Sequence, residues 1–245
     1  MNDSHHQGRL CRADGLFLYW VRRGRIAALI HICYGRPMEN PDRTHCIQCG
    51  TCCRKGGPAL HKQDAHLIKS GKILCKSLVT IREGEPAFDN VRNRVVSSVS
   101  DIIKIRSQNH SRSCIFLEDK KEACKIYDNR PVECKALQCW DTAAIENLYD
   151  RDRLTRKDLL FETKDIWDLI IDHQNRCSYD RIRQLLDNGK GRDKSKIEKV
   201  RFLVRYETHL RSLLSEKGGM DPDMMDFLLG QPLSKTVRRL GVVLE

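Results

Sequence analysis

Long apolar runs are missing from this 245-residue chain. The two that come nearest, residues 16–21 and 26–32, are divided by Arg22, Arg23 and Arg25, so neither reaches the roughly 20 residues of a membrane-crossing helix. Basic residues inside that region, with no small-residue cleavage site after it, argue against an export signal. Aromatic residues make up only 6% of the chain. No RNA-binding aromatic motif, KH-like loop or zinc-finger helix accompanies the net charge of +11, which leaves nucleic acid a weakly supported partner. A glycine-rich phosphate loop, a nucleophile elbow, a paired-histidine zinc motif and a dinucleotide fingerprint are all absent, and with them the commoner routes to hydrolysis or nucleotide chemistry.

Lysine is absent from residues 1–37, which hold six arginines, whereas the remainder holds eighteen lysines. This change of composition marks 1–37 as an atypical extension, and Met38 is the expected start of the native chain. The alternative use of the stretch is a membrane-surface helix built on Trp20 and its arginines. Cys11 and Cys33 are accordingly poor ligand candidates.

Cysteine is abundant, with twelve in all. A chain of this length buries enough surface to fold without disulfides. With no export pattern, the thiols read as reduced groups and metal ligands in a cytoplasm. The densest stretch is Cys46, Cys49, Cys52 and Cys53, separated by two-residue spacers that bend the backbone into a knuckle with amides aimed at sulfur. Gly50 allows the positive φ such a turn uses. Adjacent cysteines tend to point apart, so Cys52 and Cys53 are not expected to complete one tetrahedron together.

Three more thiols follow at Cys114, Cys124 and Cys134. Residues 115–117 and 125–127 read as two strands around a charged turn at 118–122, placing Cys114 and Cys124 at one end of a hairpin. Asp128 or Asn129 then caps a helix with Pro131 as its first residue and Cys134 one turn in.

The pattern CxxCxxCC, then the string around Cys114, Cys124, Ile126, Tyr127, Arg130, Pro131 and Cys134, resembles the YkgJ-type cysteine-cluster family, described as a zinc- or iron-chelating domain. The resemblance covers roughly residues 44–140 and implies that Cys46, Cys49, Cys52, Cys53, Cys114, Cys124 and Cys134 ligate metal. After the last of these the chain departs from the family text, with Cys139 as a possible eighth thiol beside Trp140.

Between the two cysteine groups, Asp64 is placed to cap a short helix ended by Gly71, and 78–81 and 102–105 read as strands. Cys75 lies in an apolar run and reads as buried. His45, His61 and His66 read as surface histidines, with His61 the one to test as a nitrogen ligand or proton carrier. From Trp140 the chain turns helical, with caps at Asp141 or Thr142, Thr163, Ser178 and Ser195 and a further start at Asp221 and Pro222. His173 and His209 read as satisfied structural histidines, Cys177 as structural, and Met220, Met224 and Met225 as core filler. The expected architecture is α+β: an extension at 1–37, a cysteine-cluster domain at 38–140 with short strands, and a helical region at 141–245.

Zinc and iron–sulfur clusters both accept all-thiolate sites. A zinc ribbon would use a second CxxC, which is absent, and this leans towards iron–sulfur. Three functions fit: a cytoplasmic metal-binding protein, an iron–sulfur redox or transferase enzyme, or a zinc-stabilised module binding nucleic acid or protein. Arg130, supported by Tyr127, is the expected donor that orients or neutralises thiolates at the cofactor. The enzyme reading expects Tyr127, Arg130 and Trp140 on the wall of a pocket beside the metal.

Overall fold

The computed structural model describes residues 44–89, 91–108, 111–118, 120, 123–186 and 194–242. The extension 1–37 with Trp20, Cys11 and Cys33, the proposed start at Met38 and most of the basic linker at 189–194 lie outside them. The fold is α+β, with short antiparallel strand pairs followed by helices. Among the described residues no helix is long and apolar enough to cross a membrane.

The scaffold between the cysteine groups is a bent two-stranded ribbon. Strands β1 (Leu78–Ile81) and β4 (Ile102–Ile105) pair antiparallel with Leu78 opposite Ile105, and β2 (Pro86–Asp89) and β3 (Arg94–Ser97) close the far end. Bonds from Gly84 N–H to the Ser98 carbonyl and from Ser98 N–H to the Glu85 carbonyl carry the ladder through the bend. In β4 the side chains alternate as the pleat requires: Ile103 and Ile105 are buried, and Lys104 faces the other way. The chain at 58–62 runs beside β4, with Leu60 N–H on the Ile103 carbonyl and Ile105 N–H on the Pro58 carbonyl. Gly57 permits this approach, because a Cβ there would stand 2.1 Å from the Ile105 carbonyl oxygen.

The first helix, α1 (Ala65–Lys69), follows a 3-10 turn at Lys62–Asp64 and ends at Gly71, whose φ of 72° is left-handed. Asp64 does not act as its cap. Its carboxylate turns back to the His61 N–H, closing a capping box one turn earlier. The small hairpin is displaced from its expected position: β5 is Leu117–Glu118 and β6 is Ala123–Cys124. A tight turn, with Leu117 N–H on the Cys114 carbonyl, takes up one expected strand, and a 3-10 turn at Tyr127–Asn129 takes up the other. Helix α2 (Val132–Ala136) carries Cys134, and Pro131 flanks it rather than opening it.

The helical region comprises α3 (Ala143–Leu148), α4 (Arg156–Leu160), α5 (Lys164–Arg176), α6 (Tyr179–Leu186), α7 (Lys194–Glu216), α8 (Met225–Leu228) and α9 (Leu233–Thr236). Thr163 and Ser178 start α5 and α6 as expected. Helix α4 was not among the expected helices; it opens on a Thr155-to-Asp158 capping box closed in both directions. One buried cluster runs through both halves of the chain, uniting Leu60, Ile73, Leu78 and Ile103 with Leu154, Ile170, Met225 and Phe227. Burying a side chain of this size contributes roughly 1.5–3 kcal/mol. Arg156, almost fully buried, joins the ribbon bend to α8 by paired bonds to Asp101 (2.7 and 2.9 Å) and a bond to the Leu228 carbonyl.

Candidate metal centre

The first cysteine group forms the knuckle that its spacing predicts. Gln48 and Gly50 both take positive φ (57° and 68°), and the Gln48 N–H points at Cys46 Sγ from 3.4 Å. Cys49 Sγ and Thr51 Oγ1 repeat the same spacing at 3.3 Å. The turn continues as a 3-10 segment at Cys53–Lys55, and the Arg54 side chain closes it on the Cys49 carbonyl. The Cys52 and Cys53 sulfurs converge to 3.9 Å, contrary to the expectation that adjacent thiols point apart. The 3-10 turn beginning at Cys53 rotates the two onto one side. Two ligands of a single tetrahedral zinc stand about 3.8 Å apart, from Zn–S bonds near 2.3 Å.

The second group meets the first through the backbone. The Cys114 N–H donates to the Cys53 carbonyl at 2.7 Å. Cys124 pairs with Leu117 across the hairpin, and α2 brings in Cys134. Together Cys52, Cys53, Cys114, Cys124 and Cys134 line one pocket of about 180 Å³. Cys46 and Cys49 lie off its wall, although Cys46 acts electrostatically on Cys124. Cys139 is exposed and also off the wall; Cys75 is half-buried rather than buried, and Cys177 is buried in the separate helical cluster. Among the described residues no three His, Cys, Asp or Glu side chains stand close enough to hold a bare ion as they are.

The thiols act on one another. Burial, then the charges of Cys114, Cys52 and Cys124, pushes the Cys134 thiol far above its ordinary range. Burial likewise raises Cys114 to about 11 and raises Cys124. In the adjacent pair, the hydrogen bond from Cys53 brings Cys52 down to about 6, with Arg130 helping, and the same bond drives Cys53 up. Each thiolate thus opposes the next, and a bound cation is what allows several to ionise together. The donor set fits a thiophilic metal.

Arg130 stands on the pocket wall, where its charge favours the thiolates of Cys52 and Cys124. Tyr127 is off the wall and underneath it: the guanidinium lies 3.6 Å from the ring centre and its Nε donates to the Tyr127 carbonyl at 2.8 Å. Trp140 is off the wall as well, and the aromatic rings found there are Phe116 and Tyr149. The sequence reading missed Tyr149, Glu133 and Lys104. Only Lys104 carried a signal, as the polar position between two apolar ones in a strand.

His61 is fully buried, not a surface histidine, because the segment 58–62 is sandwiched between β4 and the chain at 152–154. Its Nδ1 meets the Arg151 carbonyl at 2.6 Å and its Nε2 meets Glu133 Oε1 at 3.2 Å, so both nitrogens are occupied. The carbonyl only accepts, so Nδ1 is the donor in that bond. His45 and His66 are exposed as expected, whereas His209 is exposed rather than packed on an apolar face.

Residues 45–156 match the family model described as "CxxCxxCC: Putative zinc- or iron-chelating domain". The chain is also similar to an uncharacterized protein of Methanocaldococcus jannaschii, 34% identical over 91 residues that make up 37% of this chain and 42% of that protein. It therefore spans less than half the length of that relative. No solved structure matches the chain.

Proposed function

From the membership of residues 45–156 in the CxxCxxCC family, whose description is the chelation of zinc or iron, we propose that the chain is a metal-binding protein that holds an iron–sulfur cluster between its two cysteine groups. Cys52, Cys53, Cys114, Cys124 and Cys134 are the ligand pool, and Cys46 and Cys49 form the outer part of the same knuckle. One observation carries the reading: five thiols from two distant stretches of sequence line a single pocket. A lone tetrahedral zinc fills the space between its four sulfurs. The absence of a second CxxC, which a zinc ribbon would use, supports a cluster, with zinc as the alternative occupant. When bound, a cluster supplies electron transfer or a Lewis-acidic iron. Arg130 balances thiolate charge, and Tyr127 holds Arg130 in place. A cytoplasmic location goes with this reading, since thiolate sites require reduced cysteine.

Enzymatic use of the site is the second reading. It is favoured by Lys104, Glu133 and Tyr149 on the wall, which a purely structural metal would not need.

Anaerobic purification followed by an absorption spectrum and elemental analysis tests the proposal. Broad absorbance near 400 nm with iron and acid-labile sulfide is expected. A colourless protein with stoichiometric zinc would move the assignment to zinc, and protein that takes up neither metal on reconstitution would overturn it.

A further inference from the structure

The side chain of Lys104 lines both the cysteine pocket and an adjoining groove of about 780 Å³ that runs under the β2–β3 hairpin. Glu133 and Tyr149 line both cavities too, so these side chains stand where the two adjoin. The nearest carboxylate is already committed. Glu133 Oε2 accepts the Ala59 N–H at 2.7 Å, and its Oε1 meets His61 Nε2 at 3.2 Å and the Arg153 guanidinium at 3.8 Å. Lys104 senses the charge of Glu133 and is opposed by that of Arg153, and its ammonium makes no hydrogen bond or ion pair among the described residues. Burial lowers its affinity for the proton, and the part of the residue that stays exposed faces the two cavities.

The other charges on the pocket wall do not supply that partner. Lys55 and Arg130 are cations, and Glu146 accepts the Thr142 hydroxyl at 2.7 Å. Beside the five cysteines, none of which is among the charges acting on Lys104, and Thr142 and Tyr149, the wall is lined by apolar residues such as Pro58, Ile105, Ile126, Leu137 and Ile145. An unpaired cation in such a setting is costly unless an anion completes it, and a small pocket of this lining admits a short hydrocarbon body behind the anionic group.

We propose that Lys104 anchors the carboxylate of a small organic acid whose apolar body occupies the pocket beside the cysteine cluster. The inference shares with the function proposed above only the sulfur-lined wall, and it does not depend on which metal those sulfurs hold.

Hexanoate, hexanol and hexylammonium serve as probes in titration calorimetry on the full chain, with metal content measured on the same samples. Hexanoate is expected to bind about tenfold or more tightly than hexanol, the margin a charge-assisted hydrogen bond provides, and hexylammonium more weakly than either. In Lys104→Met the advantage of hexanoate disappears while hexanol binding persists, and Lys104→Arg retains it. Equal binding of hexanoate and hexanol by the wild-type chain, or an advantage that survives Lys104→Met, overturns the inference. Should Lys104→Met fail to fold, reductive ¹³C-methylation of the wild-type lysines decides. A dimethyl-lysine resonance missing from Lys104→Arg must shift with hexanoate and not with hexanol; a resonance that stays still rejects the anchor. Hexanoate preference in protein that takes up no metal would leave this inference standing and remove the metal-binding function, and metal uptake without that preference would do the reverse.

Discussion

Asp64 Oδ1 accepts the backbone N–H of Val132 at 2.9 Å, so a residue beside the first cysteine group caps the helix that carries Cys134. Its other oxygen accepts the His61 N–H at 3.0 Å, and the residue is almost fully buried. Asp64→Ala leaves two amides without a partner and is expected to cost about 1–3 kcal/mol, read from urea denaturation. Asp64→Asn, which keeps the acceptor, should cost less. Equal stability of all three proteins would show that the clamp is dispensable.

Individual Cys→Ser changes at Cys52, Cys53, Cys114, Cys124 and Cys134 are expected to lower bound metal, measured as metal per chain after anaerobic reconstitution. Cys177→Ser and Cys75→Ser, which lie off the pocket wall, should leave it unchanged. Full metal content in the Cys114, Cys124 and Cys134 variants would refute the shared site.

In metal-free protein the thiols should react unequally. Cys52, exposed and brought down to about 6, is expected to be alkylated first by iodoacetamide at pH 7, with a rate rising through a midpoint near pH 6. Cys53 and Cys134, both held well above the ordinary range, should be the slowest of the pocket thiols. Peptide mapping by mass spectrometry gives the order, and Cys134 leading it would contradict the electrostatics.

His173 makes the helical region acid-sensitive. It is fully buried, neither ring nitrogen has a hydrogen-bond partner, and Glu207 Oε1 is 4.0 Å from Nε2. Burial first, then the charges of Arg82, Arg211 and Arg156, lowers its pKa to about 2 from an ordinary 6.5. Above pH 6.5 it is neutral in both states and contributes no slope. As pH falls from 6.5 towards 2 the unfolded chain takes a proton that the folded chain refuses, so stability drops by up to about 1.4 kcal/mol per pH unit. The urea midpoint of wild type should therefore fall more steeply below pH 6.5 than that of His173→Leu, and parallel curves would dismiss the effect.

Gly57→Ala is expected to destabilise the chain by about 1–3 kcal/mol or more, because the added methyl meets the Ile105 carbonyl where 58–62 lies against β4. Thermal unfolding measures it. An unchanged melting temperature would mean that the two segments separate at no cost.

The sequence by itself determined what nearest neighbours in the chain control. The knuckle at Cys46–Cys53 with its left-handed Gly50, the strands at Leu78–Ile81 and Ile102–Ile105, and the starts of α5 and α6 all follow from spacing, pleat and capping within a few residues. The tertiary structure decided which side chains face one another across long separations. Asp64 caps a helix 68 residues away, His61 is clamped by Glu133 72 residues away, and among the described residues Lys104 has no partner, since Arg153 and His61 engage Glu133, the one carboxylate there whose charge it senses. Local pattern carries no record of such meetings, since the segments that make them are brought together only when the apolar faces of ribbon and helices close on a common core.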